Sequence, residues 1–325
     1  MLSFLVLLAL AFGFLNGFHD AANSIATVVS TRVLRPLQAV AWAAAFNFLA
    51  ILLLQTGVAT TIGTGLIEPA AIDPAVVFGA LVSAIIWNLV TLRLRIPISS
   101  GHALVSALVG ASLASGGPGS LLADGVLLFL LFVLLAPLIG LVLGMVLMIA
   151  VLNVFRKVAA RTADRLFRRM QLVSSAVYGL GHGSNDAQKT VGIIWLLLID
   201  AGRATSDAPP GWVGIASYGV IAAGTLVGGW RIVRTMGQRI VKLAPAGGFC
   251  AETAGAASVH LASLFGAPIS TTQTITASIV GVGTANRLSS VRWGVAGAIA
   301  WAWFLTPPAA GILGALVWFL FKGVM

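Results

Sequence analysis

Ten apolar stretches, most of them about the length of a bilayer crossing, divide the chain at roughly 2–30, 37–58, 75–92, 96–114, 121–154, 171–199, 213–229, 243–265, 268–285 and 293–321. A spanning helix takes about 20 mostly apolar residues, because hydrocarbon offers the backbone no hydrogen-bond partner and the segment must satisfy its own amides. Ten such stretches in 325 residues leave no room for a soluble domain. The fold class that follows is an all-α polytopic membrane protein. Only 9% of the residues are charged and the mean hydropathy is +1.03, against about 25% charged in soluble domains. Disordered, fibrous and disulfide-rich secreted classes are excluded as well, and the lone Cys250 has no intrachain partner. The first run, Leu2 to Phe18, lacks a basic leader and a small-residue cleavage site, so it is expected to be a retained helix rather than a signal peptide.

The net charge of +10 reads as a topology signal rather than a nucleic-acid signal. Arg156, Lys157, Arg161, Arg165, Arg168 and Arg169 crowd into fourteen residues between the fifth and sixth apolar stretches, which predicts a cytoplasmic linker over 156–170. This splits the chain into a first transmembrane repeat, 1–155, and a second, 171–325. Arg32 and Arg35, then Arg93 and Arg95, mark cytoplasmic loops, while the 59–74 connection carries only Glu68 and Asp73. If each stretch crosses once, the N-terminus lies outside and the second half begins inside. Arg231, Arg234, Arg239 and Lys242, then Arg287 and Arg292, fall on the cytoplasmic side of the second half accordingly.

The two halves also match in sequence. Residues 12–21 (FGFLNGFHDA) align without gaps on 178–187 (YGLGHGSNDA) at an offset of 166, which puts Asp20 over Asp186. Residues 96–111 align on 267–282 at an offset of 171, with Pro97 over Pro268 and Ser99 over Ser270. Two windows in the same order at nearly the same spacing indicate a duplication. Five crossings per copy invert the second copy, which gives the inverted-repeat architecture of many secondary transporters, with broken helices and short or re-entrant half-helices. The stretches 96–114 and 268–285 are short, so each is open to re-entry if the long helix beside it breaks, at Pro137 or at Pro307 and Pro308.

Ionisable side chains inside a span cost about 2.5 to 3.5 kcal/mol each on insertion scales, so each is a functional candidate. Asp20 and Asp186 stand at equivalent points of the repeat, each after a Gly- and Asn-rich segment (Asn16-Gly17; Gly179, Gly181, Gly183) expected to unwind and expose carbonyls to a cation. Glu252 has no acidic counterpart in the first half. The plainer reading of these acids is pairing with a buried Arg or capping of a broken helix, and Lys189, three residues after Asp186, is open to two readings, neutralising that acid or holding the charge of an anion.

The second repeated element begins Pro-Ile-Ser-Ser in one half and Pro-Ile-Ser-Thr-Thr in the other. Hydroxyls beside the free N–H groups of a helix N-terminus cap it, and the same furniture binds a small oxyanion. Two such tips, one per repeat, predict an anion pocket near the midplane. His19, His102 and His182 lie beside these elements, with His102 aligned on Gln273. His260 reads as packing, as does the Gly311 to Gly314 spacing.

The stretches NGFHDAANSIATV at 16–28, HGSNDAQKTVG at 182–192, AETAGA at 251–256 and PISTTQTI at 268–275 resemble the paired signatures of the inorganic phosphate transporter (PiT) family. The resemblance runs from residue 12 to about 285. His19 before Asp20 is closer to the bacterial low-affinity phosphate permeases than to sodium-coupled animal carriers, and Gln273 stands where the family often has His. The resemblance implies that Ser99, Ser100, Gln188, Ser270, Thr271 and Thr272 line the anion site. It implies coupling by Asp20, Asn23, Asn185, Asp186 and Glu252, with sodium held at Asp20, Asn23, Asp186 and Glu252 if sodium is the coupling ion. Proton, sodium and divalent metal-phosphate coupling stay open. A homodimer stays open too.

The expectation is a secondary active transporter of the bacterial-type inner membrane, not an enzyme, that imports inorganic phosphate with a cation by alternating access, without a bound cofactor or nucleic acid. Electrostatics agrees: a phosphate anion beside two carboxylates is repelled unless a cation enters with it. Sulfate or another oxyanion is the alternative substrate within the family. An intramembrane serine hydrolase using Ser184 or Ser100 with His182 or His102 is the alternative from another class, but it lacks a reason for the duplication.

Overall fold

The computed structural model describes residues 1–53, 55–68, 71–228, 232–233 and 235–323. Arg231 and Arg234, two of the expected topology markers, lie outside the described residues. The chain forms α1 (Leu2–Ser30), α2 (Pro36–Leu49), α3 (Gly57–Thr64), α4 (Pro74–Leu94), α5 (Ser100–Gly116) and α6 (Ala123–Val154). The second half supplies α7 (Ala160–Asp200), α8 (Gly211–Val227), α9 (Pro245–Leu264), α10 (Thr271–Asn286) and α11 (Trp293–Phe321). A 3-10 segment, Ala50–Leu53, follows α2, and a π-helical turn, Thr235–Arg239, precedes α9.

Helix starts follow local chemistry. Pro36, Pro74 and Pro245 open α2, α4 and α9 at the first turn, where a missing N–H costs nothing. Asp73 accepts from the Ala75 amide two residues on, and Ser99 and Ser270 cap α5 and α10 by accepting from the amides of His102 and Gln273 three residues on. Among the described residues, five helices suffice by length and composition to cross a membrane: α1, α2 with its 3-10 extension, α4, α6 and α11. One face of α6 points outward through Leu127, Leu130, Leu134 and Leu138, as a lipid-facing surface requires.

Equivalent helices of the two halves pack in exchanged pairs: α1 on α8 and α7 on α2, α5 on α11 and α10 on α6, α4 on α11 and α9 on α6. Close approach at these seams uses glycine. A Cβ on Gly110 would run into the Gly311 carbonyl, and one on Gly281, its repeat mate, into that of Leu141. Among the described residues the core accordingly forms two large lobes and a small third cluster of Ala50, Ala187, Tyr218 and Ile221. One gathers α3, α4, α5, the first turns of α1 and the last turns of α7. The other gathers α2, α9, α10 and the later turns of α1.

Inversion is visible in α1 and α7, which run antiparallel along each other. Gly13 lies against Thr190, Thr31 Oγ1 donates to Gln171 Oε1 at 2.9 Å, and Arg168 donates to the Arg32 carbonyl at 3.0 Å. Early residues of one helix therefore meet late residues of the other.

One expectation is corrected, and two further points are fixed by the helix boundaries. Helices α1 and α7 continue unbroken through Asn16-Gly17 and through Gly179, Gly181 and Gly183. Those glycines admit neighbours instead: a Cβ on Gly17 would collide with the Ile221 carbonyl of α8, and one on Gly183 with that of Asn47 in α2. In lipid, glycine serves close helix packing more than helix termination. The breaks lie elsewhere, where α2 gives way to the 3-10 segment and α3, and at the π-helical turn. Second, α6 and α11 run through Pro137 and through Pro307 and Pro308 without interruption, as membrane helices tolerate when neighbours cover the freed carbonyls. Third, the basic stretch is helical from Ala160 onward and forms the first turns of α7.

Candidate functional site

Polar residues recur on one face of α7 at helical spacing: Gln171, Ser174, Tyr178, His182, Asp186 and Lys189, all buried. On α1 the facing stripe is Asn16, Asp20, Asn23 and Thr27, also buried. Where the two stripes cross, a carboxylate oxygen of Asp20, one of Asp186 and a ring nitrogen of His182 lie within 4.8 Å of one another.

The N-terminal tip of α10 ties both acids together. Thr272 Oγ1 donates to Asp20 Oδ1 at 3.2 Å, and Thr271 Oγ1 donates to Asp186 Oδ2 at 3.4 Å. The Asn23 amide donates to Thr272 Oγ1 at 2.9 Å and to Thr271 Oγ1 at 3.3 Å. His19 Nδ1 is 3.0 Å from Asp20 Oδ1 and His182 Nε2 is 3.5 Å from Asp186 Oδ2. Lys189 Nζ lies 2.6 Å from Asp186 Oδ1 and donates to the Ile269 carbonyl at 2.8 Å.

The α5 tip joins from the other side. Gly101 accommodates Lys189, whose Nζ would stand 2.7 Å from a Cβ there. Gln273 Nε2 and His102 Nδ1, equivalent positions in the repeat, meet at 3.3 Å. Ser99 and Ser270 both act as caps, accepting from the amides of His102 and Gln273 at 3.1 Å each. The Ser100 hydroxyl is buried with no hydrogen-bond partner among the described residues. The arrangement places two carboxylates, neutral hydroxyl and amide donors and two helix N-termini around one buried point. Such a point can hold an oxyanion at the tips and a hard cation among the carboxylate, amide and hydroxyl oxygens.

Asp20, Asp186, Asn23, Thr271 and Thr272 come together at one point. Three others sit apart from the two acids. Gln188 turns its carbonyl to the start of α3, accepting from the Val58 and Ala59 amides at 3.0 and 3.3 Å. Asn185 donates to Ser263 Oγ and to the Ala267 carbonyl. Glu252 accepts from Gln171 Nε2 at 3.0 Å and from Ser174 Oγ at 2.5 Å. Ser174 lies twelve residues before Asp186 on α7, about 18 Å along the axis at about 1.5 Å per residue. The sequence reading passed over Gln171 and Ser174 as Glu252's partners and Tyr178, which donates to the Thr271 carbonyl at 3.3 Å. Their spacing along α7 was the available signal.

Residues 16–314 match the phosphate transporter family. A Rhizobium meliloti (strain 1021) protein named "Probable low-affinity inorganic phosphate transporter" is 52% identical over 316 residues, covering 97% of this chain and 95% of that protein. One of the same name from Bacillus subtilis (strain 168) is 40% identical, covering 97% of this chain and 96% of its own length. A solved structure named "The sodium-dependent phosphate transporter" superposes with a TM-score of 0.88 at 23% identity, covering 100% of this chain and 99% of that one, which is a likeness of fold. The family is one of transporters and not of enzymes, which removes the support for a serine hydrolase. On the match from Asn16 to Gly314 and the relatives aligned along nearly its whole length, the chain belongs to the phosphate transporter family.

Proposed function

We propose that the chain imports inorganic phosphate together with a cation by alternating access, with the anion bound between the α5 and α10 tips and the cation beside Asp20 and Asp186. The observation that carries this reading is the meeting of Thr271 and Thr272 with both acids at one buried point. Two unit charges 4 Å apart repel by about 4 kcal/mol at an effective dielectric constant of about 20. Phosphate beside these carboxylates therefore needs a co-transported cation, and neither ion alone stabilises the loaded pocket. Ser100, Thr271 and Thr272 are the donors for phosphate, with Ser99 and Ser270 holding the tips in place. Asp20, Asn23 and Asp186 serve the cation.

The repeats are taken as 1–155 and 171–325, joined by the basic stretch 156–170, and rocking of one against the other exposes the pocket alternately to each side. Arg32, Arg35 and the basic stretch face the cytoplasm, which puts the N-terminus outside a bacterial-type inner membrane. The contact between Arg168 and the Arg32 carbonyl supports a common side for these two segments. The reading holds for a monomer or a homodimer.

Labelled phosphate uptake into proteoliposomes, under sodium and proton gradients imposed separately, tests it. One gradient is expected to drive phosphate accumulation that excess sulfate fails to block. Sulfate accumulation that excess phosphate leaves untouched would overturn the substrate assignment.

A further inference from the structure

The two halves furnish their acids differently. The offset of 166 that puts Asp186 on Asp20 also puts Lys189 on Asn23, and the offset of 171 puts Gly101 on Thr272. In the first site the Asn23 amide and the Thr272 hydroxyl meet at 2.9 Å beside Asp20. In the second, the Lys189 ammonium fills the equivalent volume, 2.6 Å from Asp186 Oδ1 and 2.8 Å from the Ile269 carbonyl oxygen. Gly101 makes this fit, since a Cβ there would lie 2.7 to 2.9 Å from the last three side-chain atoms of Lys189. Threonine, the residue of the equivalent position in the other tip, has no room.

A carboxylate oxygen and a free carbonyl oxygen are ligands that a hard monovalent cation would take. Here they go to an ammonium that is itself buried. The first site holds no ammonium among the described residues; there Asp20 Oδ1 has the His19 imidazole, Nδ1 at 3.0 Å, beside it. Its neighbourhood on α1 keeps oxygen atoms in reserve: the side-chain oxygens of Asn16 and Asn23 are buried without hydrogen-bond partners among the described residues, whereas Ser24 and its repeat mate Thr190 both carry such a hydroxyl and do not distinguish the sites. Asn16, Asp20 and Asn23 follow an i, i+4, i+7 spacing, which places them on one face of α1.

Resting on the transport reading above, we propose that Lys189 is the resident cation of the second of two pseudo-equivalent sites, so that only the Asp20 site takes an external cation and one enters per phosphate. Lys189 lies 2.6 Å from Asp186 and offsets that carboxylate, which leaves Asp20 as the acid for an entering cation.

The test compares the wild-type chain with the double variant Lys189→Asn, Gly101→Thr, which gives the second site the residues of the first. Phosphate uptake into proteoliposomes is followed against external sodium without a proton gradient, and against external pH without sodium at constant H2PO4− concentration. The cation-to-phosphate ratio is read from the opposing gradient that stops net flux. In whichever arm drives transport, the wild type is expected to be first order in the cation with a ratio of one, and the double variant second order with a ratio of two. A double variant that transports with a ratio of one overturns the proposal. If the double variant is silent or misfolded, the wild-type ratio decides: one upholds the proposal and two overturns it. With magnesium present in both arms so that metal-phosphate is available, absence of phosphate uptake by the wild type in both arms overturns the transport reading and this inference with it, whereas a wild-type ratio of two overturns the inference alone.

Discussion

His102 and Gln273, 171 residues apart, touch at 3.3 Å through Nδ1 and Nε2. The repeat offset in this part of the chain is the same 171, so the contact joins a residue to its own counterpart and lies on the pseudo-two-fold axis relating the halves. Asp20 and Asp186, equivalent in the other repeated window, approach within 4.8 Å near the same axis. Duplication followed by inversion thus brings equivalent residues of the two halves together at one buried point.

Asp20→Asn and Asp186→Asn are each expected to abolish phosphate uptake while the protein still purifies as a folded, monodisperse species. Removing a charge without changing volume leaves the packing intact but takes away the electrostatic reason for cation entry. Wild-type uptake by either variant would remove that residue from the mechanism.

Glycine substitution separates packing from helix propensity. In a water-exposed helix, Gly→Ala stabilises by about 1 kcal/mol. Gly17→Ala and Gly183→Ala are expected to lower the thermal midpoint instead, because the added methyl would collide with backbone carbonyls of Ile221 and Asn47. Gly219→Ala, whose Cβ would meet nothing within 4 Å, is expected to be neutral or mildly stabilising. A thermal-shift assay in detergent on the three variants checks the order.

Gln188→Ala is expected to cost about 1 kcal/mol of stability, the usual scale of a lost helix N-terminal partner, since its carbonyl satisfies two amides of α3. Phosphate affinity should move less than in Thr271→Ala. A large affinity loss at unchanged stability would put Gln188 in the anion pocket after all.

The apolar stretches were legible because bilayer thickness sets their length. Those at 2–30, 121–154 and 293–321 coincide with α1, α6 and α11 to within two residues. Hydropathy misjudged the segment before Gln171, where Arg161, Arg165 and Arg168 recur every three or four residues along what is an exposed amphipathic start of α7. The glycines before Asp20 and Asp186 were read as breaks because glycine weakens helices in water, while here it lets helix backbones meet. The pairing of the acids with the α10 hydroxyls followed from the repeat. The partners of Glu252 did not, because that acid breaks the symmetry and no internal comparison points to Gln171 or Ser174.

The most direct measurement is a double-mutant cycle on phosphate binding between Ser100 and Thr271, repeat mates on opposite tips, by isothermal titration calorimetry of the purified chain with the coupling cation present. Each alanine variant is expected to weaken binding by about 1 to 3 kcal/mol, the cost of an unsatisfied buried partner. The double variant should depart from the sum by at least about 0.5 kcal/mol, as residues sharing one ligand do. Wild-type affinity in both single variants would contradict a common pocket built from the two halves.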